Sequence, residues 1–176
     1  MIGAKMPLLD HKWYALCTFM FWGAERHSAD SSGPVCVAAG DRRERSRLDS
    51  YLVLVVEDED DHCQLLREIL RSECGASTIS AKDGWMALRL AHECHPALIL
   101  LDLWLPGLNG LDVAGQLKAM PDTRHIPIIA LTATCIRAAE AEQAGCDDFV
   151  EKPFDLDVLL SRVRYHLASS RLDGAI

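Results

Sequence analysis

The chain reads as an α/β domain, with five strands alternating with five helices, a pattern that places a parallel sheet between two helical layers. Three observations predict this. Short runs of Val, Ile and Leu recur along residues 51–168. Stretches with apolar side chains every three or four positions separate them. Pro, Gly, Asn and Asp punctuate the joins.

The first strand is Tyr51 to Val56 (YLVLVV), a continuous apolar run of the kind that is buried on both faces. Acidic residues stop it. Asp60 or Asp61 is expected to cap a helix carrying Leu65, Leu66, Ile69 and Leu70 on one face. Ser77 to Ser80 is a short second strand. Asp83 and Gly84 open a helix with Met86, Ala87, Leu90 and Ala91 inward, and Pro96 ends it. Ala97 to Leu101 is a third buried strand. A Pro/Gly/Asn loop from Leu105 to Gly110 leads into a helix through Val113, Leu117 and Met120. Ile126 to Leu131 is the fourth strand. An alanine-rich helix from about Cys135 to Ala144 closes at Gly145, and its face of Ile136, Ala138, Ala139 and Ala141 suits either a contact surface or an ordinary half-buried helix. Asp148 to Val150 is the fifth strand, and Leu156, Leu160, Val163 and Leu167 mark the last helix. The first strand is too apolar for an edge. That favours the flavodoxin-like, doubly wound order 2-1-3-4-5 over a barrel, which needs eight units.

Length and charge agree with one such domain. The 176 residues are 49% hydrophobic and 25% charged, a globular composition with net charge −8. The first fifty residues hold seven basic and six acidic side chains, whereas the remainder holds eleven and twenty. So acidic a domain has no general attraction for nucleic acid or anionic lipid. The seven cysteines include no CxxC and suggest no zinc or disulfide framework, so they read as reduced thiols of a cytoplasmic protein.

Residues 1–50 read as a flexible leader, and 169–176 as a short tail. Within the leader, Trp13 to Ala24 is apolar but, at twelve residues, short of the about 20 needed to span a bilayer. A surface or partner anchor and a signal-peptide core remain open there, the latter with a poor cleavage site because Trp22 is bulky. Only nine residues follow Leu167, so the expectation is a stand-alone domain whose output is a contact with an as yet unknown protein.

The strand ends carry the chemistry. In a parallel sheet all C-terminal strand ends lie on one edge, where ligands bind. This sequence places Glu57 and Asp58 there from strand one, Asp102 from strand three, Thr132 from strand four and Lys152 from strand five. Carboxylates after strand one would repel a nucleotide phosphate, where a phosphate site needs glycines. They suit a hard cation such as Mg²⁺ instead. An EF-hand fails, because counting from Asp58 puts Cys63 at position 6 and Ile69 at position 12. Three carboxylates and one ammonium become neutral with one divalent ion. That arrangement suits phosphoryl transfer with Asp102 as nucleophile. A haloacid-dehalogenase-type phosphatase would need a second Asp where Trp104 stands. A metal-dependent hydrolase would need a water-activating base, and none is evident. The His92–His95 pair falls on the second helix, away from this edge, and reads as solvated.

The segments VLVVEDED (53–60), LILLDLWLPGLNGLD (98–112), IPIIALTA (126–133) and AGCDDFVEKPF (144–154), in this order and spacing, closely resemble the receiver domain of bacterial two-component response regulators, of the stand-alone, chemotaxis-regulator-like type. The resemblance covers residues 51–168. It implies that Asp102 accepts a phosphoryl group from a histidine kinase or histidine phosphotransfer protein. Glu57, Asp58, Asp102 and the backbone carbonyl of Trp104 would then hold Mg²⁺. It also implies that Lys152, joined to Pro153 by a cis bond, pairs with the phosphoryl group, that Thr132 and Phe149 switch together, and that the small Ala133 leaves the site open. Such a protein signals and is not an enzyme in its own right. The alternative is a pseudo-receiver that binds partners without phosphorylation. Three residues depart from the commoner pattern: Glu57 stands for Asp, Trp104 for Met and Phe149 for Tyr. The Trp104 ring is expected to shield the acyl phosphate from water.

Overall fold

The computed structural model describes residues 51–133 and 138–173. The leader expected over 1–50, Cys135 and Ile136, and the last three residues lie outside the described residues. The elements are β1 (Leu52–Val56), α1 (Asp60–Cys74), β2 (Ser77–Ala81), α2 (Gly84–Cys94), β3 (Leu98–Asp102), α3 (Gly110–Ala119), β4 (Ile128–Ala133), α4 (Ala138–Gln143), β5 (Asp148–Lys152) and α5 (Leu156–Asp173). The five strands form one parallel sheet in the order β2-β1-β3-β4-β5, the flavodoxin-like arrangement.

The period-two alternation of the strands divides the core into two layers. Leu54, Val56, Ile99, Leu101, Ile128 and Ala130 pack with Ala87, Leu90, Val113 and Leu117 of α2 and α3. Val53, Val55, Leu98, Leu100, Ile129 and Leu131 pack with Leu66 and Leu70 of α1 and with Leu159, Val163 and Leu167 of α5. Burying each Leu, Ile or Val of this set stabilises the fold by roughly 1.5–3 kcal/mol.

Several boundaries differ from the sequence reading. β3 takes in Asp102, so the carboxylate is held by the strand and not by a loop. β4 begins at Ile128 because Pro127 has no N–H for the ladder, and Ile126 is buried in the preceding turn. β5 continues to Lys152. The N-cap of α1 is Glu59 and not Asp60 or Asp61. Those two occupy the first turn, where negative charge favours the helix dipole, and Asp60 pairs with Lys82 at 2.7 Å. Leu65 and Leu156 point outward, while Cys63 and Leu159 take the inward places, because only one stripe of each helix faces the sheet. Of the small residues expected on the α4 face, Ala141 is buried and Ala139 exposed. α2 opens as expected, with the Asp83 carboxylate accepting from the Met86 N–H at 2.8 Å.

Gly110 sets the position of α3. A Cβ there would lie 2.5 Å from the Asp102 carbonyl oxygen and 2.6 Å from the Leu103 Cα, so the helix start can press against the end of β3 only without a side chain. Among the described residues, no helix is long and apolar enough to cross a membrane.

Candidate functional site

Parallel register brings the strand ends level. Val56 pairs with Leu101, Asp102 with Leu131, and Ala133 with Lys152. Glu57 therefore emerges beside Asp102, and Lys152 reaches both from the far side of β4. Glu57 and Asp102 are buried, at 2% and 6% exposure, and Asp58 is exposed at the mouth. One carboxylate oxygen from each of Glu57, Asp58 and Asp102 lies within 4.8 Å of the other two.

Lys152 Nζ donates to Asp102 Oδ2 at 2.6 Å and to Glu57 Oε2 at 2.8 Å. Burial alone would lower the Lys152 ammonium. Its hydrogen bonds to Asp102 and Glu57, together with their charges, outweigh that and raise it above the ordinary value. The second Asp102 oxygen, Oδ1, accepts from the Trp104 backbone N–H at 2.8 Å. Both oxygens of Asp102 are thus oriented by named donors. Trp104 itself is 60% exposed.

Thr132 is buried, and its hydroxyl donates to the Ala133 carbonyl at 2.9 Å and not to Asp102. Phe149 is 43% exposed. Its backbone N–H donates to Asp148 Oδ1 at 2.8 Å, and Arg162 holds the other oxygen of that carboxylate at 3.1 Å. The Lys152–Pro153 peptide is cis.

Glu57, Asp58, Asp102, Thr132 and Lys152 lie on this edge, whereas Phe149, level with Ala130, stands three residues short of it in β5. Two neighbours escaped that reading. His62 Nδ1 lies 3.4 Å from Glu59 Oε2 and 3.8 Å from Glu57 Oε1. Lys82 pairs with Asp60 at the rim. The i, i+3 spacing of Glu59 and His62 was the available signal. Nothing in the spacing announced the Lys82 contact.

The donor chemistry fits Mg²⁺. Three carboxylates supply hard oxygen ligands, and with one ammonium beside them the pocket keeps a net charge of about −2, which one divalent ion balances.

A family model of the response regulator receiver domain matches residues 53–164. The chain belongs to the response regulator receiver domain family. It is 36% identical over 120 residues to the polar-differentiation response regulator DivK of Brucella ovis, covering 67% of this chain and 97% of that one. The DivK of Brucella anthropi is 35% identical over the same length. Among solved structures, this receiver domain resembles a response regulator of Chloroflexus aurantiacus (TM-score 0.64, 30% identity, covering 68% of this chain and 98% of that one). It also resembles the receiver domain of a sensor histidine kinase of Pseudomonas aeruginosa (TM-score 0.62, 30% identity, 68% and 98% covered), which has a magnesium ion coordinated in its active-site cleft. The receiver domain is a signalling module of two-component systems.

Proposed function

We propose that this receiver domain, spanning residues 51–168, accepts a phosphoryl group on Asp102 from a histidine kinase or histidine phosphotransfer protein. The reaction depends on Mg²⁺, runs in the cytoplasm and alters a surface read by a protein partner. The observation that carries this reading is the bridge from Lys152 Nζ to Asp102 Oδ2 and Glu57 Oε2, at 2.6 Å and 2.8 Å. It puts a fixed positive charge at the oxygen that would take up phosphorus.

Glu57, Asp58 and Asp102, with the backbone carbonyl of Trp104, are the groups that would hold Mg²⁺, and the magnesium in the cleft of the Pseudomonas aeruginosa domain supports this assignment. Bound there, the ion would neutralise and orient the phosphoryl oxygens. Asp102 attacks phosphorus as the nitrogen–phosphorus bond of a phosphohistidine breaks, and the imidazole leaves. Lys152 pairs with one of the phosphoryl oxygens. The Thr132 hydroxyl exchanges its bond to the Ala133 carbonyl for another, and the small Ala133 side chain leaves room for it. Phe149, exposed in this state, turns inward as Thr132 moves. The two arrangements form a two-state equilibrium that phosphorylation biases. The net charge of −8 argues for a protein target and against nucleic acid.

Phosphate-affinity electrophoresis after incubation with acetyl phosphate tests the reading. A retarded band should form with Mg²⁺, disappear in EDTA and weaken in Asp58→Asn. A band indifferent to Mg²⁺, or none under either condition, contradicts it, and the second outcome is that of a pseudo-receiver.

A further inference from the structure

Two imidazoles and a carboxylate lie at the opposite edge of the sheet, their ligand atoms less closely gathered than those of Glu57, Asp58 and Asp102. The N-terminus of α2 stands on the same edge as Asp102, so its C-terminus is about one helix length away, roughly 15 Å for its 11 residues. There His92 Nδ1 meets Asp122 Oδ2, thirty residues further along the chain. His95, the left-handed cap of the same helix at φ 43°, carries a ring 6.3 Å from that of His92 between centroids. Asp122 sits in the turn between α3 and β4. That turn is anchored by buried Thr123, whose hydroxyl donates to the Leu117 carbonyl at 2.8 Å, and by Lys118, which donates to the carbonyls of Arg124 and Ile126.

Burial pushes the Asp122 carboxyl up. Its own backbone hydrogen bond, the bond from His92 and the charges of His92 and His95 more than offset this and hold it below the usual carboxylate range. An anionic, half-buried oxygen therefore stands against the exposed His92 imidazole, with the exposed ring of His95 beside His92. Two nitrogens and one oxygen are the donor set of a borderline transition ion such as Zn²⁺, whereas Mg²⁺ prefers oxygen alone.

We propose that His92, His95 and Asp122 form a transition-metal site, separate from the carboxylate pocket, that ties the end of α2 to the α3–β4 turn. The Asp122 oxygen and a His92 nitrogen supply two ligands. His95, an exposed side chain, turns its ring to supply the third, and water completes the shell.

Zinc calorimetry on the whole chain, with Mg²⁺ in excess to occupy the carboxylates, tests this. The comparison is between wild type and His92→Ala, His95→Ala and Asp122→Asn. None of the three positions is fully buried, and circular dichroism checks that each variant folds. Wild type should bind one more Zn²⁺ per chain than each variant, or bind it at least about tenfold more tightly. Zinc should raise the melting temperature of wild type alone. Zinc binding that no substitution changes belongs to other groups, such as the cysteines, and overturns the proposal. So does an unchanged site in His95→Ala, or the absence of binding in wild type.

Discussion

Lys152 Nζ lies 2.6 Å from Asp102 Oδ2, although fifty residues and the whole of β4 separate the two in the chain. This contact, with its companion to Glu57, sets how the pocket responds to substitution.

Replacing Lys152 by Met leaves Glu57, Asp58 and Asp102 facing one another without a cation. Removing one partner of a fully buried pair costs about 3–5 kcal/mol. The Lys152 side chain is 22% exposed, so water moderates the loss, and a destabilisation of about 1–3 kcal/mol is expected. Urea titration in EDTA reads it. Millimolar Mg²⁺ should recover more stability in the variant than in wild type, and equal recovery would show that the ammonium does not balance these carboxylates.

Gly110→Ala places a methyl group 2.5 Å from the Asp102 carbonyl oxygen and 2.6 Å from the Leu103 Cα. Both obstacles are backbone, so the start of α3 must move away from β3. A loss of about 1–3 kcal/mol is expected, the usual cost of overpacking, together with slower phosphoryl uptake at the displaced Asp102. Chemical denaturation and acetyl-phosphate labelling report the two effects. A variant with wild-type values in both would mean that the close approach does not constrain the site.

Burial, reinforced by the Asp147 charge and only partly offset by Lys118, pushes the Cys146 thiol up from 9.0 to about 11. The folded state holds this proton more tightly than the unfolded chain. Its contribution is complete below pH 9.0, shrinks as pH rises and is gone above about 11. Cys146→Ala should therefore lose less melting temperature than wild type between those two pH values. The same burial should keep Cys146 slow towards alkylating reagents at neutral pH. Parallel melting curves in alkali would remove this account.

Trp104 touches the phosphoacceptor through its backbone N–H, which any residue but proline supplies, whereas its side chain is largely exposed. Trp104→Ala should keep phosphoryl uptake and shorten the lifetime of the adduct, because water then reaches the acyl phosphate more easily. Decay of the labelled protein measures this. An unchanged half-life means that the ring shields nothing.

Much of the architecture was legible in the sequence because a doubly wound sheet writes its signals locally. β1 and β3 are continuous apolar runs, and the strand-edge residues Glu57, Asp58, Asp102, Thr132 and Lys152 follow once the strands are ordered. The errors arose where two local rules competed. Pro127 delayed β4, and near-continuous apolar pairs such as Leu65–Leu66 and Leu159–Leu160 left the inward face of α1 and α5 ambiguous by one residue. Contacts between distant segments carried no local mark. The meeting of His92 with Asp122, thirty residues apart, emerges only from packing.

The most direct test of the central assignment is to locate the phosphoryl group itself. Protein treated with acetyl phosphate and Mg²⁺ can be reduced with borohydride, which converts a phosphorylated aspartate to homoserine, and then digested and sequenced by mass spectrometry. A single converted residue at Asp102, absent from Asp102→Asn, is the expected result. Conversion at another carboxylate, or no conversion in protein that binds Mg²⁺, would contradict the account.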